Sequence, residues 1–315
     1  MKRIIFRLLL FLLLAVSFTQ AARIEMYSSA VSIRFDHPLQ ELQVKDAREY
    51  SARCGGPWPS FWGEEKGTAS GASITAIRFS GDAQLVFPAD YIYGAPPNDL
   101  TPSRCAISDA LAWEIFGTVD STGLEVDMSG QKYSVCGVFK HRESVLLFYA
   151  RDGFHAAELS GVPRTEDAYR YARDYTAACG LGIPSQILCG EDSALFANLL
   201  CWGCVILCLI CLTSPILNCL RRPIVIWLAV AAIVLLLPVW MQWLPQWWIP
   251  TRWSDRAFWS ALWESILSRP RDWITLSPKL RDLPVKYASC ILLPASLFAC
   301  CVIRAEILKC KYMSR

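Results

Sequence analysis

Residues 105 to 139, CAISDALAWEIFGTVDSTGLEVDMSGQKYSVCGVF, contain the pattern that decides the fold class of this chain. Ser108 is a good helix N-cap, and an acidic residue follows it in the first turn, where the helix dipole favours negative charge. Leu111 and Phe116 fall on one apolar face of the helix, and Gly117 is placed to end it. This half of the stretch therefore predicts a short capped helix.

The second half of the stretch has the pattern of a two-stranded hairpin. After Gly123, residues 124–128 alternate apolar and acidic side chains, as a half-buried strand does. A Ser-Gly pair ending at Gly130 supplies the turn, and Tyr133 lies at the start of the return strand that leads to Gly137. A helix followed by a hairpin is typical of an α+β domain.

The composition points to a membrane protein, because 54% of the residues are hydrophobic and the mean hydropathy is +0.30. Three runs contain no charged residue: 195–220, 223–243 and 287–303. Each run is close to the length that an α-helix needs to cross the hydrocarbon core. We expect three transmembrane helices at these positions.

The N-terminal segment 1–21 has two interpretations. A pair of basic residues precedes a mainly apolar stretch that is interrupted by Arg7. That pattern fits a cleaved signal peptide, and it also fits a short retained membrane helix, which we favour. Both interpretations place the chain from residue 22 onward outside the cytoplasm.

The charge distribution supports one orientation in the membrane. Basic residues lie at the N-terminus, at Arg221 and Arg222, and in the tail 304–315, which the positive-inside rule places in the cytoplasm. The outer segment 22–194 holds 15 Lys and Arg against 23 Asp and Glu, so its net charge is 15 − 23 = −8. The rest of the chain is then +3 − (−8) = +11. We expect a multi-pass protein of the cell membrane with both termini cytoplasmic, and the acidic outer segment argues against nucleic-acid binding.

Within the outer segment, strand-like patterns occur at 31–35, 73–79 and 83–87. Residues 55–72 are rich in Gly, Pro and Ser and predict a loop or subdomain boundary. Apolar residues recur at helical spacing over 165–178, which predicts a helix.

The sequence offers no pattern for catalysis. The three histidines do not form a metal-ligand spacing, and the chain contains no GxSxG, HExxH or GxxxxGK[ST] motif. We therefore expect a protein that is not an enzyme, that binds no cofactor or metal, and that does not hydrolyse ATP itself.

Five cysteines lie in the outer segment, so they cannot all pair with one another. Cys179 and Cys189 enclose a short loop that a disulfide could close just before the second membrane helix. We take that disulfide as a hypothesis.

A second group of cysteines, Cys201, Cys204, Cys208 and Cys211, recurs on one side of the predicted helix 195–220. Small residues at this spacing are typical of a helix-packing seam. The first two also form a CxxC motif, which can cycle between dithiol and disulfide in a membrane thiol oxidoreductase. We favour the packing seam and keep the redox function as the alternative.

Tryptophans are concentrated between Trp240 and Trp273, and most of this group lies in the predicted outer loop 244–286. We expect a helix here that ends at Pro270 and places Trp259 and Trp263 on one face. Because Trp prefers the membrane interface, this helix is expected to lie on the outer leaflet. Packing against the outer domain is the alternative, and both can hold.

The order of one membrane helix, a large outer domain and three more helices resembles the topology of MacB/FtsX-like ABC permeases. The stretch 105–139 also resembles the end of their extracytoplasmic core, at Ser108, Leu111, Ala112, Phe116, Gly117, Gly123, Val126, Gly130, Tyr133, Val135, Gly137 and Val138. The resemblance implies a MacB-core-like α+β domain on a four-helix transmembrane module. It also implies that an ABC ATPase subunit binds in trans and that the permease forms a homodimer or pairs with a related subunit.

Three functional hypotheses follow. The first is a non-enzymatic permease-like subunit of an export or mechanotransmission complex, which couples its outer domain to its helices and contacts membrane lipid. The second is a stand-alone membrane-anchored sensor or assembly protein that works without an ATPase. The third, which we favour least, is the thiol oxidoreductase that would use Cys201 and Cys204.

Overall fold

The computed structural model describes residues 2–27, 30–162, 166–219, 246–249 and 252–313. The chain divides into two compact units. The first, here called the α/β unit, consists of Ala30–Cys189 and Ser265–Arg281. The second, the helical unit, consists of Met1–Ser29, Gly190–Glu264 and Asp282–Arg315.

The described residues contain eight α-helices. Their bounds are α1 Lys2–Glu25, α2 Glu41–Cys54, α3 Ala83–Val86, α4 Asp109–Phe116, α5 Ala168–Ala178, α6 Gly190–Cys219, α7 Arg256–Thr275 and α8 Leu283–Met313. Two short 3-10 helices, Gln246–Trp248 and Leu280–Asp282, precede α7 and α8.

The strands of the α/β unit form one mixed sheet. Their bounds are β1 Ala30–Leu39, β2 Pro59–Ala69, β3 Ala72–Ser80, β4 Tyr91–Gly94, β5 Arg104–Ser108, β6 Glu125–Met128, β7 Gln131–Phe139, β8 Val145–Tyr149, β9 Phe154–Ser160 and β10 Gln186–Cys189. The spatial order is β10-β1-β9-β2-β3-β8-β5-β7-β4, and β6 pairs with β2 and β7. The pairs β3–β8 and β5–β7 are parallel, and the other strand pairs are antiparallel.

The sheet has two apolar cores. The first core lies where α2 and α5 cover β1, β9 and β10, and it includes Ile33, Leu159 and Tyr175. The second core lies under α4, and it includes Leu111 and Val126. The α/β unit therefore has a mixed α/β fold with one helix-covered core near each end of its sheet.

The capped helix and the hairpin predicted from residues 105–139 are confirmed. The Ser108 hydroxyl accepts a hydrogen bond from the Leu111 amide at 3.2 Å, and Gly117 ends α4 with a left-handed φ of 66°. Ser129 and Gly130 have φ values of 54° and 84°, which fit a type I′ turn between β6 and β7.

The strands at 31–35 and 73–79 and the helix at 165–178 are confirmed as β1, β3 and α5. The helix starts at Ala168 because the Asp167 side chain accepts a hydrogen bond from the Tyr169 amide at 3.1 Å.

Two local predictions were wrong. Residues 83–87 form the short helix α3 rather than a strand, because the Asp82 side chain caps it by accepting a hydrogen bond from the Gln84 amide at 2.9 Å. The Gly-rich region 55–72 contains β2, which pairs with β9 and β3. Its Gly63 is a packing requirement, since a Cβ there would lie 2.7 Å from the Gly153 carbonyl oxygen.

The predicted helix in the Trp-rich segment also ends elsewhere. It runs past Pro270 to Thr275 as α7. Contacts within the α/β unit hold this end: Arg269 forms an ion pair with Asp167 at 2.5 Å, and Thr275 accepts a hydrogen bond from the Gln186 amide group at 3.4 Å. These tertiary contacts outweigh the helix-breaking tendency of proline.

In the helical unit, α1, α6 and α8 pack against one another. Their contact is formed by the buried side chains of Ala21, Ile24, Ala197, Cys201, Ala288 and Leu292. Two described helical windows, Leu8–Glu25 and Leu280–Ile303, are long and apolar enough to cross a membrane.

The other predicted membrane segments have different outcomes. Residues 195–219 are helical as part of α6, whereas the predicted helix 223–243 lies outside the described residues. The last helix is longer than the predicted 287–303, because it starts at Leu283 and continues to Met313. The first helix continues past residue 21 to Glu25.

Candidate functional site: the buried Glu158 cluster

The residues singled out in 105–139 serve turns, caps and packing. Ser108 is fully buried, and its hydroxyl also accepts a hydrogen bond from the Val145 amide at 3.0 Å, which ties α4 to β8. Gly137 lies where a Cβ would be 2.4 Å from the Ala95 carbonyl oxygen. The others are placed as follows: Leu111 and Tyr133 are buried in the second core, Phe116 packs against it, and Gly123 and Gly130 have positive φ in turns.

The hypothetical Cys179–Cys189 disulfide is not formed in the structure. Cys179 follows the last turn of α5, while Cys189 pairs with Val31 in the β1–β10 ladder, and both side chains are buried in the first core. The disulfide between Cys179 and Cys189 stays a prediction.

The structure places two of the four seam cysteines in helix contacts. Cys201 is fully buried in the cluster that joins α1, α6 and α8, and the Cys204 sulfur lies 3.5 Å from the Ser296 carbonyl oxygen and 3.6 Å from the Cys300 sulfur. The side chains of Cys208 and Cys211 lie outside the described residues.

A polar cluster that the sequence did not predict lies on the opposite face of the sheet from the first core. In β9, Ala157 and Leu159 face that core, so Ala156 and Glu158 project to the other side. Because β9 lies between β1 and β2, both sides of its backbone are paired, and Glu158 is fully buried.

The Glu158 carboxylate has a partner on nearly every side. One oxygen accepts hydrogen bonds from the Ser32 hydroxyl at 2.6 Å and the Trp62 indole N–H at 2.8 Å. The Arg34 guanidinium lies 4.0 Å from the same oxygen, and the Arg281 guanidinium lies 3.0 Å from the other. We call these five residues the Glu158 cluster.

Small residues make room for these large side chains. Ala156 is in register with Arg34 on one side and with Trp62 on the other, so both can extend over its methyl group. The Arg34 guanidinium lies 4.4 Å from the centre of the Trp62 ring, and the Lys279 ammonium lies 5.6 Å from it. Both distances fit cation–π contacts with a buried indole.

Arg281 connects this cluster to helix α3. Its Nε donates a hydrogen bond to the Val86 carbonyl at 2.6 Å, and its Nη2 donates one to the Leu85 carbonyl at 3.1 Å. These are carbonyls at the C-terminal end of α3, which have no partner within the helix and carry partial negative charge. Arg281 is itself only 7% exposed.

The neighbours of Arg281 are held as well. The Leu280 amide donates a hydrogen bond to the Glu64 carboxylate at 2.8 Å, and the side chains of Leu276 and Leu280 are buried. Together with the Arg269–Asp167 ion pair, these contacts make Ser265–Arg281 part of the α/β unit. The sequence left open that the helix of the Trp-rich loop packs against the domain formed by the preceding segment. For residues 265–281, the structure supports that alternative.

Burial and positive charges also act on a histidine of β9. Burial lowers the pKa of His155 below its usual value, and the positive charges of Lys279 and Arg78 lower it further. His155 is therefore held in its neutral form at neutral pH.

The charge pairs of the Glu158 cluster hold its strands and Arg281 together. A buried carboxylate paired with arginines resists separation, because removing one partner leaves a charge in a medium of low dielectric constant. Among the described residues, no group of three or more His, Cys, Asp or Glu side chains could hold a metal ion.

Sequence reasoning missed the Glu158 cluster for an identifiable reason. Its residues are far apart in the chain, and the Gly, Pro and Ser content of 55–72 predicts a loop where the structure has β2 with Trp62. A signal was present in the alternation of Ser32 and Arg34 with apolar residues in β1, and in Glu158, which lies between two apolar residues of β9. Both patterns indicate a polar face of the sheet on which other parts of the chain must pack.

Comparisons with known proteins concern the fold of this region. No protein-family model matches the sequence, and no curated protein matches it. The chain is similar to the extracellular domain of the noncanonic ABC-type transporter YknZ from Gram-positive bacteria, with 17% identity and a TM-score of 0.36, over 48% of this chain and 87% of that one. It is also similar to the periplasmic region of MacB from Actinobacillus actinomycetemcomitans, with 11% identity and a TM-score of 0.43, over 52% and 90% of the two chains.

Neither comparison assigns a ligand or a partner to this chain.

Proposed function

We propose that this protein is a non-enzymatic, permease-like membrane subunit that couples an extracytoplasmic binding domain to its transmembrane helices. The observation that carries the proposal is the position of Arg281 in the chain. It is clamped by Glu158 at 3.0 Å, and only Asp282 separates it from Leu283, the first residue of α8.

The connection from Arg281 to α8 is therefore a single residue of chain. A displacement of Leu283 would act through Asp282 on Arg281, and the buried ion pair would pass it to β9. Because β9 is paired on both sides, the force would reach an interior strand of the sheet rather than an edge strand. A domain that moves with its helices needs such a stiff connection.

The full proposal includes an ABC ATPase subunit that binds in trans at the cytoplasmic side. The test is purification of the tagged full chain from its native membranes in mild detergent, with mass spectrometry of the co-purified proteins. We expect an ABC ATPase subunit, and its reproducible absence would contradict the permease function. The alternative is then the stand-alone sensor, which the two-residue basic connection at Arg221 and Arg222 favours because it offers little docking surface.

Coupling through Arg281 has its own test in the purified complex. Hydrogen exchange of the α/β unit is compared between ATP-bound and ADP-bound complexes for the wild type and for Arg281→Gln. We expect exchange in β9 to respond to the nucleotide in the wild type and in Arg269→Gln, but not in Arg281→Gln. Arg269→Gln is the matched control, because it removes another ion pair of the same unit without touching the residues beside α8. An equal response in all three proteins would contradict coupling through Arg281.

A further inference from the structure

Helix α7 has an exposed apolar stripe. Trp259, Trp263, Leu267 and Ile274 are 39%, 65%, 60% and 71% exposed. At about 100° per residue, these four positions fall within an arc of about 80° on the helix surface. Large apolar side chains in such a continuous stripe are typical of a surface that contacts something other than water.

A second face of the helix packs against the α/β unit. Arg269, which lies about 120° from the centre of the stripe, has a side chain that is only 12% exposed and is paired with Asp167. Its guanidinium also lies 5.8 Å from the centre of the Tyr169 ring. Just beyond the helix, Leu276 is buried. These contacts prevent the helix from rolling to bury its own stripe.

The α/β unit adds another apolar side chain in the same region. Ile183 is 94% exposed in the loop before β10. The end of that loop is fixed, because Ser185 bonds to the Arg34 carbonyl and Gln186 donates to the Thr275 hydroxyl at the end of α7. The loop that carries Ile183 is thus anchored to the helix end that carries Ile274.

The position of α7 in the chain selects a lipid surface as the occupant. It follows the apolar run 223–243, and a short link joins it to α8, which contains the second described window long enough to cross a membrane. Tryptophan prefers the interface between lipid headgroups and hydrocarbon, and two of the four stripe residues are tryptophan. A helix with this composition between two apolar segments is suited to lie in the plane of the bilayer surface.

We propose that α7 is an interfacial helix whose stripe, Trp259, Trp263, Leu267 and Ile274, is immersed in the bilayer surface, while the Arg269–Asp167 ion pair joins its C-terminal part to the α/β unit. The lipid contact is independent of any ATPase partner. It needs no new residue from another protein, because the stripe and the ion pair belong to this chain.

The test uses tryptophan fluorescence of the purified full chain in bilayer nanodiscs made from ordinary or brominated phosphatidylcholine. Bromine on the acyl chains quenches tryptophans that touch lipid. The emission of Trp263 is obtained by subtracting the spectrum of Trp263→Phe from that of the wild type. Trp113, which is 60% exposed on α4, gives the matched control through Trp113→Phe.

We expect most of the Trp263 emission to disappear in brominated lipid, while the Trp113 emission is unchanged. Because both side chains are exposed, neither substitution should affect folding. Survival of the Trp263 emission in brominated lipid would overturn the proposal, and the stripe would then be a surface for a protein partner. Equal quenching of both tryptophans would also overturn it, because the contact would not be specific to α7.

Discussion

The two ends of the sheet differ in how they are assembled. At the end under α4, the helix and the hairpin come from one stretch, in which Ser108 caps the helix and Gly130 turns the hairpin, and β3 and β8 complete the core. The Glu158 end joins residues that are distant in sequence: Ser32 and Trp62 donate hydrogen bonds to the Glu158 carboxylate, and Arg281 forms an ion pair with it. The first end is packed around an apolar core, and the second carries a buried ionic cluster on the sheet face opposite its apolar core.

This difference bears on mechanism. The helix and the hairpin of the α4 end are set mainly by contacts between residues close in the chain. The ionic end includes Arg281, which lies beside the start of α8. The end that depends on distant contacts is therefore the one that can respond to a moving helix, and the following predictions test whether the two ends behave differently.

The largest effect is expected from Glu158→Ala. The substitution leaves Arg34 and Arg281 buried beside each other without their shared carboxylate, which should cost about 3–5 kcal/mol. Hydrogen exchange of the full chain in detergent should show faster exchange in β1, β2 and β9, with little change around α4. Uniform loss of protection in both ends would contradict the separation.

A surface ion pair provides the control for that substitution. Glu125 faces Lys132 at 3.2 Å, and both side chains are mostly exposed. Glu125→Ala should change protection by less than about 1 kcal/mol, because exposed pairs contribute little.

The same difference explains what could be predicted from the sequence. The α4 end was predictable because caps, turns and alternation act between residues close in the chain. The Glu158 cluster was not, because the role of Arg281 depends on the strand order β1-β9-β2 and on the C-terminal carbonyls of α3. Long-range packing also explains why α7 passes Pro270: its contacts with the α/β unit override the local signal.

The second prediction concerns the apolar end. Leu111 is fully buried in the second core, so Leu111→Ala should cost about 2–5 kcal/mol through lost burial and a cavity. Exchange should rise in α4, β6 and β7 and remain low at β9. Leu100→Ala is the control, since Leu100 is 88% exposed, and an equal effect of both substitutions would contradict the packing of α4.

A smaller effect is expected from Ser108→Ala. The Ser108 hydroxyl accepts hydrogen bonds from the Leu111 and Val145 amides, so its loss leaves two amide donors without this partner. The cost should be about 0.5–2 kcal/mol, read as faster exchange at those amides. Thr122→Ala removes an exposed hydroxyl and should leave exchange unchanged. Loss of protection at β9 instead would show that the two ends are coupled.

The smallest effect is a pH dependence confined to the Glu158 end. Burial, with the charges of Lys279 and Arg78, lowers the pKa of His155 in the folded protein, so the unfolded chain takes up a proton first as the pH falls. Stability should be fully present above about pH 6.5, the ordinary histidine value, and should decline below it. Hydrogen exchange corrected for intrinsic rates should show weaker protection of β9 at about pH 5.5 than at about pH 7. His155→Gln should remove that difference at β9, whereas a persisting difference would assign the acid sensitivity to another group.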